Sequence, residues 1–93
     1  MDIIESKIDS SSTDFKANRE HAMSLVETLR ARVSEVKLGG GEASVSKHRK
    51  RNKFLARERI EKIIDEGSPF LELSTLAGFE VYDENVPSAG VIT

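Results

Sequence analysis

The sequence contains no cysteine, and this absence removes two common ways of stabilising a small protein. Without thiols, the 93 residues can form neither a disulfide framework nor a thiolate zinc site. The two histidines, His21 and His48, are too few for an all-histidine metal site. A chain of this size buries only about 60–65% of the surface that its unfolded form exposes, so we expect a thin core.

Long hydrophobic runs are also missing, since no apolar stretch approaches the roughly 20 residues of a membrane span. The N-terminus reads Met1-Asp2-Ile3-Ile4-Glu5, which lacks the apolar segment of a signal peptide. It is not the Arg-rich, acid-poor beginning of a transit peptide either. The sequence therefore predicts a soluble, cytoplasmic protein with no membrane partner.

The charges are nearly balanced overall but unevenly distributed. The chain has 14 basic and 16 acidic residues, a net charge of −2, yet residues 47–62 hold eight of the bases and only two acids. This basic segment, +6 in an otherwise acidic chain, indicates a local anion site more than a general affinity for polyanions. Its residues alone leave three interpretations open: a solvated face, a phosphate site or a nucleic-acid site. Phe54 is the only aromatic residue nearby, which disfavours nucleic acid.

Hydrophobic periodicity predicts three helices in the first two thirds of the chain. A stripe at steps of four and three predicts a helix over residues 14–38, with Ser11 and Asp14 at its start. Gly39-Gly40-Gly41 is typical of a helix end and is less suited to a phosphate loop, because it follows a helix and not a strand. Further helices are predicted over residues 42–53 and 55–65, the last with an ion pair between Arg57 and Glu61. The stripe is formed by Ala22, Leu25, Val26, Leu29, Val33 and Val36.

After Pro69 the period changes to about two, which predicts short strands. Residues 70–74 and 79–82 alternate, and residues 89–93 read as a third apolar strand with no turn after it. Two or three short strands rarely cover a hydrophobic face alone, so we expect the front end of a longer protein.

The sequence shows no complete set of catalytic residues. His48 lies among cations, which favour its neutral form, and no carboxylate is placed to orient it. It is better interpreted as a structural or ligand-contacting histidine than as a catalytic one. No catalytic residue is therefore predicted in this chain.

From about residue 38 onward the sequence resembles a known family. An opening Leu38-Gly39-Gly40-Gly41-Glu42 is followed by His48, Arg51, Lys53 and Arg57-Glu58-Arg59-Ile60, then Gly67-Ser68-Pro69-Phe70-Leu71-Glu72-Leu73, Ala77-Gly78, Tyr82-Asp83, Val86-Pro87 and Gly90-Val91-Ile92-Thr93. This order is similar to the N-terminal end of the carboxyltransferase (β) subunits of biotin-dependent acyl-CoA carboxylases, above all those of the methylcrotonoyl-CoA carboxylase type. Departures from the family pattern include Asn52, Glu66 and Ser88-Ala89, the last in place of a glycine-rich turn.

The resemblance implies an α+β fold: N-terminal helices followed by the first strands of a crotonase-like carboxyltransferase domain. It divides the chain into an N-terminal extension and helix start at residues 1–21 and the beginning of the CoA carboxyltransferase N-terminal domain at residues 22–93. Relatives with this domain assemble as oligomers, so a homo-oligomer of the full-length β subunit is expected. The location would be the cytoplasm of a bacterium or the mitochondrial matrix of a eukaryote.

The resemblance also implies a reaction. A carboxyl group moves from carboxybiotin to an acyl-CoA, here 3-methylcrotonyl-CoA in leucine degradation, through an enolate held by backbone oxyanion holes. Biotin would be carried on the partner, the biotin-carboxylase/biotin-carrier α subunit. Since no oxyanion element is assigned within these residues, this chain alone is expected to be inactive. Arg51, Lys53 and Arg57 are the candidates for binding the phosphates of CoA. Alternatively, Arg57 and Arg59 form structural ion pairs with acids elsewhere in the subunit.

Two other functions stay open. The basic segment 47–62 would let the chain act as a small polyanion-binding module, recognised by a steep salt dependence of binding. The helix at residues 14–38 would let it act as a scaffold that docks on another protein.

Overall fold

The computed structural model describes residues 3–93, and within them it contains three α-helices. These are α1 (Thr13–Lys37), α2 (Glu42–Lys50) and α3 (Ala56–Ile63), followed by one 3₁₀ turn, Pro87–Gly90. The chain divides into two compact units, Met1–Ala31 and Arg32–Thr93. Residues 1 and 2, part of the extension predicted at 1–21, lie outside the described residues. The described helices include none that is long and apolar enough to cross a bilayer.

Helix α1 begins one residue earlier than the sequence indicates, and its cap is Ser12 where Ser11 was predicted. The Ser12 hydroxyl accepts a hydrogen bond at 3.1 Å from the backbone N–H of Phe15, which otherwise has no partner in the first turn. Ser11 instead bonds to the Asp9 carboxylate, with both its N–H and its hydroxyl. The prediction found the correct run of serines but chose the serine one residue before the actual cap.

In the first unit, the apolar stripe of α1 faces solvent. Leu25 is 58% exposed, Leu29 is 50% exposed and Val26 is 37% exposed. In the second unit, the last turns of α1 are covered: Val33 is half-buried and Val36 is only 5% exposed. Val36 is the one buried hydrophobic side chain among residues 3–93, so the core is as thin as the length predicts.

The glycine run ends α1 as predicted. Gly39 and Gly41 have φ values of 75° and 87°, in the left-handed region where glycine carries no Cβ penalty. Helix α2 then begins at Glu42 and continues as a tight turn until Asn52, whose φ of 54° breaks the helical path. Asparagine tolerates this conformation better than other non-glycine residues, so it suits the end of α2.

Helix α3 is shorter than the predicted span 55–65, because Ile64 already has the extended values φ −76° and ψ 154°. Ile60 and Ile64 are half-buried, whereas Ile63 is 80% exposed. The apolar face of α3 is therefore only partly covered within the second unit.

The predicted strands at residues 70–74, 79–82 and 89–93 do not form in this structure; within residues 3–93 no segment is a strand. Residues 70–74 are irregular and 75–81 form successive turns. A strand needs a partner along its length, and one backbone bond, from Leu73 N–H to Thr93 C=O at 2.7 Å, joins two of these segments. The α-helical half of the predicted α+β class is observed, and its strand half is not confirmed.

Candidate functional site

The basic segment predicted at residues 47–62 lies in the second unit, on the last turns of α2, the linker 51–55 and α3. Two of its arginines form ion pairs with glutamates, and within residues 3–93 these are the only two side-chain ion pairs. The segment is therefore divided between cations with an acidic partner and cations without one.

Arg57 is one of the paired cations. Its guanidinium donates two hydrogen bonds to Glu72, from Nη2 to Oε1 at 2.5 Å and from Nε to Oε2 at 3.2 Å. Only 25% of the Arg57 side chain and 10% of the Glu72 side chain are exposed. This is the structural ion pair that the sequence left as an alternative role for Arg57, and its partner is Glu72, not the Glu61 of the same helix.

Ser88 completes the contact around Glu72. Its hydroxyl lies 3.3 Å from Arg57 Nη2 and 3.4 Å from Glu72 Oε1, and it donates to the Thr75 carbonyl at 3.0 Å. Ser88 is only 5% exposed. Sequence reasoning missed both Glu72 and Ser88, because nothing in the local pattern indicates which distant acid or hydroxyl will face an arginine.

The second ion pair links α2 to α3. Arg49 Nη2 lies 2.5 Å from Glu58 Oε1, and Glu58 Oε2 accepts the backbone N–H of Leu55 at 2.8 Å. Leu55 immediately precedes α3, so this carboxylate satisfies a donor at the helix start. The Leu55 N–H and the Arg49 guanidinium lower the pKa of Glu58 below its ordinary value.

Arg51 and Lys53, the other two predicted phosphate ligands, are exposed and form no ion pair with any residue of 3–93. Lys53 lines a shallow cavity of about 380 Å³ with His48, Asn52, Phe54 and Arg59. Arg57 lines two different cavities of about 450 Å³ each. None of these three cavities is lined by both Lys53 and Arg57.

His48 links the end of α2 to the linker that follows it. Its Nε2 lies 2.9 Å from the carbonyl oxygen of Phe54, so the Nε2–H tautomer donates a hydrogen bond there. The ring of Phe54 in turn carries the Lys62 ammonium 4.6 Å from its centroid. In the structure His48 therefore positions the linker, in agreement with a structural interpretation of this residue.

The described residues do not assemble a metal centre, since no three histidine or carboxylate side chains of residues 3–93 come together. They also leave no buried side-chain polar atom without a hydrogen-bond partner.

Comparisons with known proteins agree with the order of motifs. Residues 47–93 match the family described as the carboxyl transferase domain. The chain is 47% identical over 90 residues to the probable methylcrotonoyl-CoA carboxylase beta chain, mitochondrial, of Drosophila melanogaster, covering 97% of this chain and 16% of that protein.

Two further relatives come from a plant and a bacterium. The methylcrotonoyl-CoA carboxylase beta chain, mitochondrial, of Arabidopsis thaliana is 45% identical over 98% of this chain and 16% of its own length. The biotin-dependent 3-methylcrotonyl-coenzyme A carboxylase beta1 subunit of Mycobacterium tuberculosis is 44% identical over 74% of this chain and 13% of its own length.

The chain thus spans about a sixth of the length of the curated relatives that it matches. The match to the carboxyl transferase domain includes α3, the Arg57–Glu72 pair and the turn at Ser88. From the family match and the identity along nearly the whole chain, we conclude that this protein belongs to the carboxyl transferase family.

Proposed function

We propose that these 93 residues work as part of the carboxyltransferase subunit of a biotin-dependent acyl-CoA carboxylase, with 3-methylcrotonyl-CoA as the acyl acceptor. The observation that carries the proposal is the identity of 45–47% along 97–98% of the chain to proteins named methylcrotonoyl-CoA carboxylase beta chain. In this reaction a C–C bond forms between the acyl-CoA and the carboxyl group, and the bond between that carboxyl group and the biotin nitrogen breaks. The acyl-CoA carbon loses a proton in exchange, and the biotin nitrogen gains one.

The rest of such a subunit would supply the strands that pair with the later segments of this chain. The segments 70–74, 79–82 and 89–93 would become strands of a crotonase-like domain once further strands pair with them, since unpaired backbone groups oppose an isolated strand. Biotin would be carried by an α subunit, and the β subunit would form a homo-oligomer. Three relatives carry the word mitochondrial in their names, which supports a matrix location in a eukaryotic host.

The contribution of this part to substrate binding is proposed to lie at Arg51 and Lys53. Both side chains are exposed and without an acidic partner in residues 3–93, so no carboxylate of these residues competes with a phosphate of CoA for them. The guanidinium of Arg57, also a candidate by resemblance, is already neutralised by Glu72. We therefore rank Arg57 below the other two as a phosphate ligand.

The substrate is tested with a complete carboxyltransferase subunit that carries this sequence, purified with its biotin-carrying partner. Carboxylation of 3-methylcrotonyl-CoA is measured against propionyl-CoA and acetyl-CoA. We expect the highest kcat/KM with 3-methylcrotonyl-CoA. Carboxylation of none of the three, by a partner that still carboxylates its own biotin, would overturn the proposed activity, and a preference for another acyl-CoA would overturn the proposed substrate.

The phosphate contacts are tested in the same enzyme with Arg51→Ala and Lys53→Ala. Each is expected to raise the KM for the acyl-CoA about 10-fold with little change in kcat, because the phosphates are remote from the reacting carbon. Lys16→Ala on α1 is the matched control, since it also removes one exposed cation. An equal rise of KM in the control would show a general charge effect and contradict the assignment.

A further inference from the structure

The Arg57–Glu72–Ser88 cluster joins three segments that are far apart along the chain. Arg57 lies on α3, Glu72 is 15 residues further on, and Ser88, within the turn Pro87–Gly90, is 31 residues from Arg57. Four hydrogen bonds connect these side chains and the Thr75 carbonyl, and the Ser88 hydroxyl oxygen also lies 3.4 Å from Glu72 Oε1. In a unit whose one buried hydrophobic residue is Val36, such a polar cluster is a large part of what fixes distant segments together.

The geometry of the cluster suits arginine and not lysine. Nε and Nη2 reach the two oxygens of the same carboxylate, and Nη2 also reaches the Ser88 hydroxyl. A planar guanidinium holds such an arrangement in one orientation, whereas an ammonium is a single point of charge. With Glu72 only 10% exposed, removal of Arg57 leaves a poorly hydrated carboxylate without its counter-charge.

The cluster is attached to a strained turn, Pro87–Gly90. Ser88 and Ala89 have φ values of 52° and 49°, a left-handed conformation that is unfavourable for a residue with a side chain. The N–H of Ala89 bonds to the Ala77 carbonyl at 2.8 Å, and the Ser88 hydroxyl bonds to Thr75. Two consecutive strained residues persist only where surrounding contacts oppose their relaxation. Arg57 and Glu72 provide contacts of this kind.

We propose that Arg57 is a positioning residue, which acts through Glu72 and Ser88 to hold the turn Pro87–Gly90 against α3. Its role is thus not to bind a phosphate. The kinetic part of this proposal rests on the proposed carboxyltransferase function. The turn belongs to the matched domain, so its displacement misplaces reacting groups. The expected effect is a lower kcat with unchanged binding of CoA. The structural part is independent of that function.

The test uses the complete subunit with its partner and the variants Arg57→Lys and Glu72→Gln. Each variant is expected to lower kcat about 10-fold or more while the KM for the acyl-CoA stays within about twofold. The kcat of the double variant is expected to be no lower than that of the more impaired single variant, since both substitutions break the same contact. Hydrogen exchange followed by mass spectrometry is expected to show faster exchange in the peptide covering residues 86–93.

Arg49→Lys is the matched control, because it makes the same replacement in the other arginine–glutamate pair. It is expected to leave kcat, KM and the exchange of residues 86–93 unchanged. A raised KM with unchanged kcat in Arg57→Lys would show that Arg57 binds the substrate and would overturn the proposal. Unchanged exchange at residues 86–93 would also overturn it.

A variant that does not fold is replaced by Ser88→Ala, which removes only the hydroxyl that links the turn to the ion pair. It is expected to give the same pattern, a lower kcat and faster exchange at residues 86–93, at smaller amplitude. If the wild-type enzyme carboxylates no acyl-CoA, the proposed function fails by itself. The exchange measurements then still decide whether Arg57 holds the turn.

Discussion

The carboxylate of Glu58 binds the side chain of Arg49 and the backbone N–H of Leu55 at the same time, at 2.5 and 2.8 Å. One group thereby satisfies a helix-start donor of α3 and fixes the end of α2 to it. Both contacts need the charged form of Glu58, which is why its pKa is lowered. The link between the two helices therefore depends on pH.

Acidification is expected to loosen this link. Because the pKa of Glu58 is lower in the folded than in the unfolded chain, its contribution is fully present above the unfolded value of about 4.3. It is lost as the pH falls through the lower folded value. We expect the Glu58 carboxyl ¹³C shift to titrate below the unfolded value of about 4.3, and Arg49→Lys to raise the pH at which it titrates. A Glu58 titration at or above the unfolded value would contradict the contact.

Ser12→Ala is expected to destabilise the start of α1 by about 1 kcal/mol, because the N–H of Phe15 loses its acceptor. The change is measured as faster hydrogen exchange in the first turn of α1. Ser10→Ala serves as the control, since no side-chain hydrogen bond to the helix is formed there within the described residues. An equal effect of Ser10→Ala would contradict the role of Ser12 as the cap.

Val36→Ala is expected to lower the free energy of unfolding of the second unit by about 1–2 kcal/mol, the cost of removing two buried methyl-sized groups. Leu29→Ala, on the same stripe but 50% exposed, is expected to change it by no more than about 0.5 kcal/mol. Urea unfolding measures both. The reverse order of the two would show that the exposed part of the stripe is covered in solution.

Ala89→Gly is expected to be neutral or to stabilise the turn, by up to about 1 kcal/mol. Glycine removes the left-handed strain of about 1–2 kcal/mol but costs about 0.5–1 kcal/mol in freedom of the unfolded chain. Ala77→Gly, where φ is not positive, lacks that gain and is expected to destabilise. Thermal unfolding compares them, and a clear loss of stability in Ala89→Gly would contradict the strain at this residue.

The sequence predicts the helical part of the chain more accurately than the part after Pro69. The helices at 14–38, 42–53 and 55–65 were predicted to within a few residues, because apolar spacing and the glycine run at 39–41 act over one or two turns. The cap was assigned to Ser11 because four adjacent hydroxyl residues give nearly the same local signal. The division into residues 1–21 and 22–93 stays a prediction, as do the phosphate contacts of Arg51 and Lys53.

The sequence by itself determined the helices to within a few residues, because helical hydrogen bonds join residues four apart. It also determined the family, because the family motifs are runs of neighbouring residues. The tertiary structure alone decided that Arg57 pairs with Glu72 and Ser88, and not with Glu61 one turn away. It also decided that residues 70–74 and 89–93 meet through a single backbone bond and form no ladder. Such contacts depend on which distant segments come together, and a local sequence pattern does not predict that.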